Sequence, residues 1–213
     1  MDPLNGTRQS LWRLRASTST HGDERARERI IAVVLVAISM FSVPPGARAQ
    51  NNPPSDYQLK AAFLFNFAKF IDWPGSSFAS PQSPFAICVL GQDPFGSVLD
   101  DTLRGKTVGG RSIVVRRLKN KAEGQRCQMV FVCSSESGHL AEIIRSLQVE
   151  NVLLVAESTG FAASGGTIEL TLEDNHVRFA INTDAADRSG LTVSSKLLAL
   201  AKIVHDQGHS KGG

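Results

Sequence analysis

The sequence predicts an α/β fold: a single-domain sandwich in which a mixed β-sheet with one antiparallel hairpin is flanked by helices in a Rossmann-like manner. Three observations carry this expectation. Short unbroken apolar runs, at Phe85–Leu90 (FAICVL), Met129–Cys133 (MVFVC) and Val152–Val155 (VLLV), have the length and β-branched content of strands buried on both faces. Segments with helical spacing separate them. Towards the C-terminus the pattern switches to strict alternation, with Ile168, Leu170 and Leu172 answered by Val177, Phe179 and Ile181 across Asp174-Asn175.

Taken in order, residues 1–49 read as an address. A polar, Arg-rich stretch is followed by fourteen apolar or small residues, Ile30–Val43, then by Pro44, Pro45 and Gly46, and then by Ala47-Arg48-Ala49. That order of basic, apolar and small residues is what a secretory signal needs, with cleavage after Ala49. As a helix the apolar run reaches only ~21 Å, short of a hydrocarbon core of ~30 Å. The mature chain is then Gln50–Gly213, expected in the periplasm and not inserted in a membrane. The net charge of +3 sits wholly in residues 1–49, where seven Arg face Asp2, Asp23, Glu24 and Glu28. The remainder balances sixteen basic against sixteen acidic residues, so the folded part has no electrostatic footprint for nucleic acid.

Residues 50–56 form a polar leader. Ser55 or Asp56 caps a helix over Tyr57–Ile71, which Trp73-Pro74-Gly75 ends. Its stripe is Leu59, Phe63, Phe67 and Phe70, with Leu64 and Ile71 alongside; Phe65 falls on another side with Ala61 and Ala68, so the apolar surface is wider than one face requires and Phe65 is a candidate for an interface. After the first buried strand, Asp93 and Pro94 suit the cap and first position of a helix over Pro94–Leu103. A strand over Arg111–Leu118, a charged loop over Lys119–Arg126 and a helix over Ser137–Leu147 follow. Beyond the hairpin, Leu197, Leu200, Ala201 and Val204 at i, i+3, i+4 and i+7 predict a closing helix over Thr192–His205. Residues 206–213 read as a disordered tail, leaving a domain over 57–205.

Ligands in open α/β sheets sit at the carboxyl ends of strands, which makes Gly91, Gln92, Asp93, Ser134 and Ser135 the candidate small-ligand site. The segment GQDPFG is neither the GxGxxG nor the GxxxxGK[ST] phosphate fingerprint. No GxSxG elbow, HExxH or Cys/His cluster is present, so neither a catalytic set, a metal nor a cofactor is expected. Cys133 and His139 are six residues apart across a strand end, and His205 and His209 have i, i+4 spacing in the tail; neither pair makes a site by itself. Three cysteines, Cys88, Cys127 and Cys133, allow three single bridges.

The runs FLFNFAKFIDWP (Phe63–Pro74), ICVLGQDPFG (Ile87–Gly96) and VRFAINTDAADRSGLTVSSKLLALAKIV (Val177–Val204) resemble the YfiR family of small periplasmic regulators. The similarity runs from Tyr57 to Val204. It implies a protein without catalytic activity, a homodimer, that binds the periplasmic sensor domain of an inner-membrane GGDEF protein. Binding would hold that diguanylate cyclase inactive, lowering cyclic di-GMP and biofilm formation. The resemblance also implies a Cys88–Cys127 disulfide, while Cys133 has no fourth cysteine to match a second family bridge. A Cys127–Cys133 bridge is opposed by the extended MVFV between them, and Cys88–Cys133 stays open if their strands are neighbours. The second functional reading is a periplasmic small-ligand sensor using the strand ends.

Overall fold

The computed structural model describes residues 55–149, 151–173 and 176–206. The signal-like segment, the Asp174-Asn175 turn and the tail from Gln207 lie outside the described residues. Helix α1 (Asp56–Phe70) begins with a capping box: Ser55 Oγ accepts from the Gln58 N–H at 3.3 Å, and Gln58 Oε1 accepts from the Ser55 N–H at 2.7 Å. Its buried face is centred on one side of the expected stripe. Ala61, Leu64, Phe67 and Ala68 are buried, whereas Leu59 and Phe63 are half-buried and Phe70 is 37% exposed. Phe67 fills the contact with the sheet beside the two alanines, while Phe63 and Phe70 lie towards its margin.

The chain continues through β1 (Ile71–Asp72), β2 (Phe85–Leu90), α2 (Ser97–Leu103), β3 (Thr107–Val108), β4 (Arg111–Leu118) and β5 (Met129–Val132). Helix α3 (Leu140–Leu147), β6 (Leu153–Ala156), β7 (Ile168–Glu173) and β8 (His176–Asn182) follow. The domain closes with α4 (Thr183–Arg188), β9 (Thr192–Val193), α5 (Ser195–Leu198) and β10 (Lys202–Val204). The main sheet has eight strands in the order β10-β8-β7-β6-β5-β2-β4-β3, and β1 pairs with β9 separately. Strands β4, β2, β5, β6 and β7 are parallel, β8 is antiparallel to β7, and β3 to β4. This is the mixed α/β class the sequence predicts. The parallel part has the order of a flavodoxin-like doubly wound sheet, with its switch point between β2 and β5.

Each face of the sheet carries its own core. Alternate residues such as Phe85, Ile87, Val89, Met129, Phe131 and Cys133 meet α1 and α2 on one side. Cys88, Leu90, Val130, Val132 and Leu154 meet α3 on the other. The hairpin register is as the alternation requires: Leu172 lies opposite Val177, Leu170 opposite Phe179, and Thr171 opposite Arg178.

Three expected helices change. The segment 192–205 is not one helix. Leu197 is buried but Leu200 is 76% exposed, so the i, i+3, i+4, i+7 stripe never becomes a face. The backbone of Lys202–Val204 instead pairs in parallel with Ala180–Asn182, and Thr192 and Val193 pair with Asp72 and Ile71. Two strand pairings that satisfy sheet-edge groups outweigh a local amphipathic pattern. Helix α2 starts at Ser97 because Asp93 turns its carboxylate onto the Phe95 N–H at 2.8 Å and Gly96 takes φ 53°. The third, over Ser137–Leu147, opens as a 3₁₀ turn, Ser134–His139, before α3. Asp206, assigned to the tail, is bonded to Asn182 at 2.8 Å and paired with Arg188.

Candidate functional site

The switch point brings together most of the residues the sequence singles out there. Leu90 lies opposite Val132, and the Cys133 N–H continues the ladder to the Leu90 carbonyl at 2.9 Å. Gly91 has φ 101°, and a Cβ at this position would stand 2.6 Å from Ser135 Oγ, so only glycine fits. The Gln92 N–H donates to Ser135 Oγ at 2.9 Å. Gly91, Gln92 and Ser135 therefore close on one another. Ser134 is turned elsewhere, its N–H donating to Glu157 Oε1 at 3.4 Å.

Asp93 belongs to a charge network the sequence does not advertise. Its Oδ2 accepts from Arg117 Nε at 2.9 Å, while the other arms of Arg117 reach Asp100 at 2.5 and 3.0 Å and the Gly96 carbonyl at 2.7 Å. One guanidinium thus ties β4 to the turn and to α2. The hydrogen bond from Arg117 holds the Asp100 carboxyl below its ordinary value of 3.8, against the opposing effect of burial. A depressed folded-state pKa contributes stability at neutral pH that is lost as pH falls below about 3.8. Asp100→Asn is expected to flatten the acid side of the stability–pH curve. Because the pair is exposed, the change at pH 7 should stay under ~1 kcal/mol; urea titrations at pH 3 to 7 measure both.

Behind this turn lies a buried polar cluster. Lys60 on α1 pairs with Glu157 just beyond β6, their side chains 11% and 8% exposed. The Tyr57 hydroxyl donates to the same carboxylate at 3.4 Å, and Lys60 Nζ stands 4.5 Å from the Tyr57 ring centroid. Burial, then the Glu157 charge, raises the Tyr57 hydroxyl above its ordinary pKa. Tyr57, Phe95 and Phe131 stack edge to face in series at 5.3 and 4.9 Å. Burial pushes the Cys133 thiol up to about 12, with Asp93, Glu157 and Glu136 adding to it, so the thiol stays protonated. His139 lines a different space, a cavity of about 520 Å³ shared with Gly91, Asn120, Lys121 and Glu142, whose wall does not include Cys133.

The structure joins Cys88 and Cys127, Cα atoms 6.1 Å apart, and leaves Cys133 buried and free. Phe65 is half-buried, with Lys106 and Lys69 at 5.1 and 5.5 Å from the ring centroid. The exposed large hydrophobics among the described residues are Phe70, Leu200 and Ile203, none of which the sequence marks as surface. His205 bonds Asp184 at 3.1 Å, which holds that carboxyl below its usual range; His209 lies outside the described residues. Among the described residues no group of three or more His, Cys, Asp or Glu could hold a metal ion, and no helix is long and apolar enough to cross a membrane.

The fold is thus a doubly wound α/β domain with aromatic and ion-paired side chains packed near its switch point. Residues 57–202 match the family described as YfiR/HmsC-like, and the chain belongs to that family. It is a regulatory, non-catalytic family of periplasmic proteins associated with diguanylate cyclases. Among solved structures, a conserved domain protein from Vibrio cholerae is similar at TM-score 0.46 and 11% identity, over 70% of this chain and 60% of that one. The ABC domain in complex with L-Trp from Streptococcus pneumonia gives TM-score 0.40 and 10% identity, over 56% of this chain and 55% of that one. The chain spans less than two thirds of either protein.

Proposed function

We propose that this protein binds the periplasmic sensor domain of an inner-membrane diguanylate cyclase and holds the enzyme inactive, lowering cyclic di-GMP. The family match over residues 57–202 carries this reading. Acting by contact suits a scaffold in which Tyr57, Lys60, Glu157 and Phe95 fill the space at the carboxyl ends of β5 and β6. In this reading the protein is exported by residues 1–49, cleaved after Ala49, and works in the periplasm as a homodimer.

Deleting the gene in a strain that carries the cognate cyclase is expected to raise cyclic di-GMP and biofilm, and membrane co-purification should recover the cyclase. Unchanged cyclic di-GMP in that strain overturns the inhibitory reading. The cavity of about 520 Å³ beside Gly91 favours the small-ligand sensor as the second reading. Co-purification that recovers no cyclase, with a small molecule retained by the protein, would favour that alternative.

A further inference from the structure

The other end of the sheet, where β2, β5 and β6 begin, encloses a cavity of about 380 Å³. Arg116, Arg126, Ser77, Asn151 and Gln128 line it, and none of its described lining residues is acidic. Neither arginine forms an ion pair among the described residues, in contrast to Arg104, Arg117 and Arg188.

The walls are fixed in advance. Arg111 donates to the carbonyls of Ser80, Pro81 and Ser83 at 2.8–2.9 Å and lies 3.7 Å from the Phe78 ring centroid, pinning the loop on one side. Gln128 accepts from the Ala86 N–H at 2.8 Å and donates to the Ser77 carbonyl at 2.5 Å. Asn151 is held at φ 68°, its N–H donating to the Ser189 carbonyl at 2.8 Å. Arg116 lies opposite Cys88, and Arg126 precedes Cys127, so the disulfide also sets the two arginine-bearing segments against one another.

We propose that this cavity is a binding site for a small anion, a carboxylate or phosphate group held by Arg116 and Arg126. Guanidinium forks bind either group in a bidentate manner, and a pocket of this volume suits a small metabolite. The site lies at the opposite end of the sheet from Gly91 and is independent of the regulatory reading.

The oxidised protein is titrated calorimetrically at constant ionic strength with inorganic phosphate and, separately, with succinate, against chloride. Saturable binding is expected for one of them, and which one identifies the ligand class. Arg116→Gln and Arg126→Gln should each weaken it by about 10–100-fold. Both side chains are exposed, so the melting temperature should hold in these variants. Lys196→Gln, outside the cavity, should leave binding unchanged. No saturable binding of either anion, or unaltered affinity in both arginine variants, overturns the proposal.

Discussion

Replacing Cys88 or Cys127 by serine is expected to remove about 4 kcal/mol of folding stability, the chain-entropy cost of reopening a loop whose ends are 39 residues apart. Typical domains have only ~5–15 kcal/mol in total, so the loss brings many chains close to unfolding at growth temperature. The two single variants should match, and the double variant should add little, because all three delete one bond. Cys133→Ser should leave the bridge intact. Its side chain faces the core beneath α1, whereas Cys88 and Cys127 face the opposite core, so the sheet itself separates the free thiol from the pair. Urea denaturation and non-reducing peptide mapping test this. A bridge containing Cys133, or full stability in Cys88→Ser, would refute it.

Breaking the Lys60–Glu157 pair is expected to have an effect of similar size. Lys60→Met strands a carboxylate in a nearly closed site with only the Tyr57 hydroxyl and the Ser134 N–H, both at 3.4 Å, to answer it. Glu157→Leu strands the ammonium. Either single change should cost about 3–5 kcal/mol, because an uncompensated buried charge loses its partner but not its desolvation. The double variant Lys60→Met with Glu157→Leu removes both charges and should recover most of that loss. Equilibrium unfolding of the four proteins closes the cycle. Additive losses would mean that the two groups do not act as a pair.

Much of the sheet was legible because its strands obey simple rules. Unbroken apolar runs mark β2, β5 and β6, and the period-2 alternation of β7 and β8 sets the hairpin register to the residue. The end of the domain was not legible. Leu197, Leu200, Ala201 and Val204 satisfy a helical period, and nothing local reveals that β8 offers an edge and β1 a partner from the far end of the chain. Of the candidate site, Gly91, Gln92 and Ser135 do meet, because a strand-end turn is a local object. The buried pair escaped notice because Lys60 and Glu157 are far apart in sequence and share no spacing. One signal was available: Lys60 occupies the row of Tyr57, Ala61 and Leu64 on α1, and a lysine on an inward row needs a counter-charge. Arg117 gave no such sign, standing next to Arg116 in an exposed part of β4.

The pairing of β1 with β9, reinforced by the Ser194 N–H donating to the Phe70 carbonyl at 3.0 Å, has a kinetic consequence. The end of the first helix is tied to a segment near the end of the domain, with every strand of the main sheet except β10 between them in sequence. A chain released N-terminus first cannot complete this contact until nearly all of it has emerged, and high contact order slows the search. Folding is therefore a late, collective event, and chains cut short before Thr192 would lack the β9 strand and the Leu197 side chain that close one edge of this core, leaving that edge open to proteolysis or association.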